Sequence, residues 1–326
     1  MRIGTTMPNN ACITIAVCSR NRPQQLHAWW AHISTIAGSD TTPILVIDQS
    51  DVAPMLPRAP NLTIMHRPGR GLARARNLAL AHATTPYIAF CDDDCRPDHD
   101  WLTAITTVMH QHPEVALLYG AVWPSGADYQ LHHHHTHAGS TVWASRRDGL
   151  VCSALRVAAT PSHYTTPVAP LECLGQGNNL IVARAAVQQW GGFQPWLGAG
   201  AWLQAGEDVE ITLRLLSHGA VCMYEPQIRL RHDAWQTPDS LMATEHGYSV
   251  GMLAVHVWYA LKGVDVAREY LQFRFNTAKK TIGARDETHR RSRTFLWARG
   301  WALAKGIIGG VSLWLVGWTK GFPKIS

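Results

Sequence analysis

The sequence predicts an α/β fold: an open, mostly parallel sheet flanked by helices, followed by a helical C-terminal appendage. Three observations carry that prediction. Short, uncharged, β-branched runs alternate with helix-length segments from residue 13 onward, the pattern of strand-helix-strand units with right-handed crossovers. Each run ends in a polar or charged cluster, and open α/β sheets place their ligands at the C-terminal ends of strands. Beyond about Gln236 the alternation gives way to long helical stretches.

Ile13-Thr14-Ile15-Ala16-Val17-Cys18 reads as the first buried strand. Ser19-Arg20-Asn21-Arg22 breaks it, and Pro23 suits the first position of a helix running to about Ile36. Strands follow at Ile44 to Ile47, ending in Asp48-Gln49-Ser50-Asp51, and at Leu62 to Met65, ending in a Gly- and Arg-rich turn. The next helix, Leu72 to about Ala83, opens among Arg70, Arg74 and Arg76. Amide donors at a helix start together with guanidinium groups make an anion site; a solvated basic face is the alternative, and the acidic stretch on the next strand makes a diphosphate bridging metal and arginine the better account.

The central stretch is Tyr87-Ile88-Ala89-Phe90-Cys91-Asp92-Asp93-Asp94-Cys95. Three adjacent carboxylates repel unless a cation sits among them, and hard oxygen ligands favour Mg²⁺ or Mn²⁺. The alternative is an acidic loop capping the helix expected from about His99 to Gln111. A strand is expected from Val115 to Tyr119, and then no periodicity is visible from Trp123 to Leu171, which reads as a long loop bordering the substrate site. Within it, His132-His133-His134-His135-Thr136-His137 reads as a surface loop rather than a metal site.

Gly175-Gln176-Gly177-Asn178-Asn179 leads into a further strand, its amides suited either to sugar hydroxyls or to a turn. Trp196 and Trp202 lie in a Gly-rich loop, where packing is expected before sugar stacking. Glu207 and Asp208 start a helix whose apolar positions are Val209, Leu213 and Leu216. Acids there favour the macrodipole, and a general base would also be held rigidly. Val221 to Tyr224 and Ile228 to His232 read as two short strands, leaving His232 at a strand end as a candidate ligand.

Composition narrows the class. The 326 residues include 46% hydrophobic types and carry a formal net charge of +6, fitting a folded protein with an anionic partner. Seven Cys with no CxxC pair argue against a disulfide framework or a structural zinc site. Met1 to Cys12 lacks the apolar core of a signal peptide, so a cytoplasmic location is expected, peripheral on the inner face of the membrane.

The order of these segments resembles the family-2 glycosyltransferases of GT-A fold over roughly Ile13 to His232. Cys18 to Pro23, Val46 to Ser50, Ala75-Arg76-Asn77, Asp92-Asp93-Asp94, Gly177-Asn178-Asn179, Gly191-Gly192-Phe193, Gly206-Glu207-Asp208 and His232 carry the resemblance. It implies a Rossmann-like nucleotide-binding half and a catalytic domain over residues 11–235. It implies nucleotide contacts from Cys18, Arg20, Asp48, Arg76, Asp92 and Asp93, with Asp48 at the base, Arg76 at the diphosphate and Asp93 at ribose or metal. Asp94 and His232 would hold Mn²⁺ or Mg²⁺, Asn178, Asn179 and Glu207 would face donor or acceptor sugar, and Asp208 would be the catalytic base. The partners implied are a nucleoside-diphosphate sugar donor and a sugar or lipid-linked acceptor, with no nucleic acid. Arg20 stands where an aromatic is frequent and Gln49 where a second Asp is usual, and no QxxRW motif is present. A nucleotidyltransferase or a non-catalytic membrane- or nucleic-acid-binding scaffold are the competing readings.

Residues 236–326 are expected to be helical. Lys279, Lys280, Arg285, Arg290, Arg291 and Arg293 form a basic cluster, and Trp297, Trp301, Trp314 and Trp318 punctuate an apolar tail. The uncharged part is shorter than the roughly 20 residues a spanning helix needs. Seating on an anionic membrane surface is therefore expected, packing on the catalytic domain or a second subunit being the alternative, and a spanning or re-entrant helix from Trp301 a third.

Overall fold

The computed structural model describes residues 12–136, 139–167, 174–283 and 303–315. The first half alternates as expected: β1 (Ile13–Ser19), α1 (Pro23–Ile33), β2 (Ile44–Asp48), β3 (Leu62–His66), α2 (Leu72–His82), β4 (Tyr87–Cys91), β5 (Cys95–Pro97) and α3 (Trp101–Gln111). Strands β3, β2, β1 and β4 lie side by side and parallel. Their polar C-terminal turns therefore share one edge of the sheet.

Beyond β4 the sheet becomes mixed. β11 (Asn179–Ala183) enters antiparallel between β4 and β6 (Val115–Pro124), and β12 (Val221–His232) runs parallel to β6. β12 is a single strand where two short ones were expected, because a register shift between Glu225 and Arg229 absorbs the Pro226 interruption without ending the ladder. Its last residues also pair with β5, which sets His232 opposite Cys95, directly after the acidic triplet.

The segment expected to be a long loop is structured. β7 (Gln130–Thr136), β8 (Gly139–Ser145) and β9 (Val151–Leu155) form a separate antiparallel sheet, and β10 (Ser162–Tyr164) adds an edge to the main one. The His-rich run is thus a strand, not a loop, with His132 stacked on Trp143 of β8. Its register against β8 came from main-chain pairing, which a run of identical polar residues conceals. His137 and Leu171 lie outside the described residues.

Alternation along the parallel strands divides the core between two faces. Ala16, Leu45, Ile47, Ile88 and Phe90 join one cluster with α2 and α5 (Glu207–Ser217), while Ile13, Ile15, Val17, Val46 and Ala89 join the other with α1 and α3. The first cluster continues into α6 (Pro238–Leu261) through Val250, Ala254, Val255, Trp258 and Tyr259. α7 (Asp265–Gly283) packs on α6, with Tyr270 stacked on His256.

Two glycine seams hold α6 in place. An added Cβ on Gly206, whose φ is 88°, would meet Gly251 at 3.3 Å, and one on Gly247 would meet Gln204 at 2.9 Å. A final helix over 303–315 lays Gly306 and Gly310 against α6, and Gly309 against Leu203 and Ala254. Its other side leaves Leu303, Ile307, Ile308, Val311 and Leu315 exposed. Among the described residues no helix is long and apolar enough to cross a membrane. The basic residues from Arg285 to Arg293, with Trp297, Trp301 and Trp318, lie outside the described residues.

Candidate functional site

The turns after β1 and β4 are neighbours because those strands pair. That adjacency builds the first half of the site. Asp93 is 2% exposed and accepts a hydrogen bond from Ser19 Oγ at 2.7 Å. Arg22 Nη1 lies 2.6 Å from Asp93 Oδ1, and Arg22 Nη2 lies 2.8 Å from Asp94 Oδ2. His232 Nε2 faces the other oxygen of Asp94 at 3.5 Å, and its Nδ1 lies 3.0 Å from the Ser153 carbonyl. Burial pushes Asp93 up to about 6 despite Arg22 and Ser19. Burial opposes the charge on Asp94 as well, but His232 and Arg22 outweigh it and hold this carboxylate well below the usual range.

The second half is built on Arg76, 1% exposed at the start of α2. Its Nη1 donates to Glu207 Oε1 at 3.0 Å and its Nη2 to the Gly177 carbonyl at 2.7 Å, while Asp92 lies 3.8 Å away. Phe90 and Phe193 each present a ring 5.5 Å from the guanidinium. Gly177 then ties this ion pair to Asp208, whose Oδ2 accepts from the Gly177 amide at 3.0 Å and whose Oδ1 accepts from the Val209 amide at 2.9 Å. A Cβ on Gly177 would sit 2.8 Å from Asp208 Oδ2 and 3.1 Å from Arg76 Nη2, so glycine is required by close approach. Burial pushes Glu207 up to about 7, with the Asp208 charge adding to it and Arg76 opposing.

One guanidinium therefore spans acids contributed by β4 and α5, which lie more than a hundred residues apart in sequence. Arg70 and Arg74, the other basic residues near that helix start, are exposed. Cys18 borders the same pocket, its thiol pushed up to about 12 by burial, with Arg76 opposing.

The remaining expected site residues lie outside these two clusters of contacts. Asp48 is 1% exposed and accepts from Ser50 Oγ at 2.6 Å, while His66 Nδ1 lies 2.7 Å from its second oxygen, so it braces the turn from beneath. Arg20 donates to the Gly69 carbonyl at 2.8 Å and remains partly exposed beside Asp51. For Asn179 the sugar-contact expectation is corrected. It is fully buried, its amide donates to the Ala121 and Ile228 carbonyls, and its oxygen accepts from Trp101 Nε1. With both amide donors used, it pins β11 to its neighbours. Asn178 differs: it is buried, and its Oδ1 has no hydrogen-bond partner. Trp196 and Trp202, expected to pack under their loop, are 47% and 45% exposed.

Three groups were missed from sequence. Arg22 and Ser19 stood in the first polar turn, and the pairing of β1 with β4 is what marks them out. Tyr248 comes from α6, outside the stretch that carries the resemblance. It is 43% exposed yet raised in pKa, first by the protein around it and then by Asp208, Asp92, Glu207 and Asp94.

Asp94, Cys95 and His232 offer ligand atoms within 4.8 Å of one another. Carboxylate oxygen with one imidazole suits a divalent cation such as Mn²⁺. The residues present fit such an ion.

Comparison with known proteins agrees with the fold. The profile described as Glycosyl transferase family 2 matches residues 14–161. The pre-mycofactocin glycosyltransferase of Mycobacterium tuberculosis is 24% identical over 238 residues, covering 69% of this chain and 43% of that protein. The succinoglycan biosynthesis protein ExoM of Rhizobium meliloti is 26% identical over 170 residues, covering 46% of this chain and 53% of its own. The chain thus spans about half the length of the curated relatives it matches. Among solved structures, the mannosyltransferase PcManGT of Pyrobaculum calidifontis, in complex with GDP-Man and Mn²⁺, superposes with a TM-score of 0.54 at 16% identity, covering 93% of this chain and 88% of that one. Residues 1–349 of S. aureus TarS superpose with a TM-score of 0.52 at 11% identity, covering 95% and 91%. Over residues 14–161 the chain is thus similar to the family-2 glycosyltransferases, and it has the GT-A fold.

Proposed function

We propose that the protein is a metal-dependent, inverting glycosyltransferase that moves a sugar from a nucleoside-diphosphate donor to a hydroxyl acceptor. The observation that carries this is the Arg76 junction, where acids from β4 and α5 meet around one buried cation. Asp208 accepts the acceptor's proton as its oxygen bonds to the anomeric carbon and the bond to the diphosphate breaks. A single displacement of this kind inverts the anomeric configuration. The Gly177 and Val209 amides fix the orientation of the Asp208 carboxylate before substrate arrives. Arg76 faces the departing diphosphate, and Glu207 and Asn178 face the sugar. Asp94 and His232 would hold Mn²⁺ or Mg²⁺, which when bound supplies positive charge against the leaving group.

The relatives support the substrate class by their names, one being a mannosyltransferase with GDP-Man and Mn²⁺ and another a succinoglycan biosynthesis protein. A screen of nucleotide sugars with Mn²⁺ or Mg²⁺ tests the reading. At least one donor should be turned over, and Asp208→Asn should lower transfer by roughly 10²- to 10⁴-fold while retaining donor binding. Normal turnover in that variant would remove Asp208 from its role.

Residues 236–326 are proposed as a helical region beside the catalytic domain of residues 11–235, resting on the inner face of an anionic membrane and presenting a lipid-linked or cell-envelope acceptor. The exposed apolar side of the helix over 303–315 supports this, as do the nearby basic and Trp residues of the sequence. Ile307→Ser with Ile308→Ser should abolish flotation with vesicles containing phosphatidylglycerol. Unchanged flotation would leave that surface without a membrane role.

A further inference from the structure

We propose that Cys95 is a third protein ligand of the metal site, and that its sulfur raises the preference of the site for Zn²⁺ and Co²⁺ over Mg²⁺. The inference rests on the metal reading of Asp94 and His232. The Asp94 carboxylate divides its oxygens: Oδ2 is held by Arg22 at 2.8 Å, while Oδ1 faces His232 Nε2 at 3.5 Å and Cys95 Sγ at 3.8 Å. All three ligand atoms lie within 4.8 Å of one another. Ligands at ordinary zinc distances and a tetrahedral angle stand roughly 3.3–3.7 Å apart, so an ion among these atoms needs only small side-chain adjustments.

The backbone supplies this convergence. Cys95 and His232 stand directly opposite each other in the antiparallel β5–β12 ladder, which puts both side chains on one face of the sheet. The Asp233 amide donates to the Asp94 carbonyl at 2.7 Å and carries that pairing past the last acid. His232 Nδ1 lies 3.0 Å from the Ser153 carbonyl, and the tautomer that donates Nδ1–H there leaves the Nε2 lone pair for an ion. The other sulfur nearby, Cys152, lies 3.9 Å from Nδ1, on the side of the ring away from that lone pair. Sulfur beside imidazole and carboxylate suits Zn²⁺ and Co²⁺, whereas Mg²⁺ takes oxygen donors. As the sulfur–metal bond forms, the thiol proton leaves to water.

The test is a Co²⁺ titration of the reduced full chain without donor, read by absorption. Sulfur coordination gives a thiolate-to-Co²⁺ charge-transfer band in the near ultraviolet, which Cys95→Ser should lose and Cys152→Ser should keep. Zn²⁺ affinity in Cys95→Ser should also fall at least roughly tenfold, the scale that even outer-shell partners carry, while Mg²⁺ affinity changes less. Co²⁺ bound without the band, a band that survives Cys95→Ser, or an unchanged Zn²⁺ affinity in that variant overturns Cys95 as a ligand and leaves the Asp94–His232 site standing. No Co²⁺ binding by the parent, or parental binding in Asp94→Asn, overturns the metal reading itself. Should circular dichroism show Cys95→Ser unfolded, the parent spectrum decides, and an absent band, or one kept in Asp94→Asn, overturns the proposal.

Discussion

The site contains two acidic clusters, and they are neutralised in opposite ways. Asp93 and Asp94 are met by Arg22, whose side chain is 42% exposed, and by His232 at a strand end. Glu207 is met by Arg76, which is 1% exposed, packed beside Phe90 and Phe193 and shared with a main-chain carbonyl. The first pairing keeps its cation at the surface, and the second builds a cation into the core. A buried ion pair is strongly destabilised when one partner is removed, because the other is left charged in a poor solvent.

Removing the fixed cation is the most damaging way to break this contrast. Arg76→Ala strands Glu207 among Asp92 and Asp208 and should cost about 3–5 kcal/mol in urea unfolding. A loss under about 1 kcal/mol would place the junction among surface ion pairs instead.

A pH series sharpens the contrast next. Glu207 titrates near 7 in the folded protein, above the ordinary value of 4.5, so the native state binds the extra proton between those limits. Stability must then fall as pH rises from about 4.5 to 7, by on the order of 2–3 kcal/mol from this group. Asp93, raised from 3.8 to about 6, adds a slope of the same sign at lower pH. Glu207→Gln should flatten the upper part of the curve and leave the lower part, as read from unfolding midpoints at pH 5 and 7.5.

The smallest expected effect probes the link between the halves. Gly177→Ala inserts a methyl between Asp208 and Arg76 and should cost about 1–3 kcal/mol, the range for overpacking. Activity should fall further than stability alone explains, since the Asp208 carboxylate must move. A variant with parental stability and kinetics would mean that the loop yields freely.

The parallel half was legible because burial on both faces leaves an unmistakable signal: Ile13 to Val17 and Tyr87 to Cys91 carry no charge and end in polar turns. The acids were legible for the same reason, as charge at the end of an apolar strand. What sequence concealed was lateral order. Arg22 gained its role from the pairing of β1 with β4, and Asn179 lost its expected one because β11 entered between β4 and β6. The β7 to β9 sheet was hidden because His and Thr dominate its first strand, leaving no alternation to read. Tyr248 lay past the recognised motifs, and only the seating of α6 brings it to the acids.

That seating has a mechanical outcome. Gly251 abuts Ala205 and Gly206, one residue before Glu207 and two before Asp208, and the helix over 303–315 reaches Leu203 in the same loop. Between Gly251 and the Ala205–Gly206 backbone no side chain intervenes. A tilt of the C-terminal layer would be handed on to the Asp208 carboxylate, so the packing of that layer also levels the group for which proton transfer is proposed.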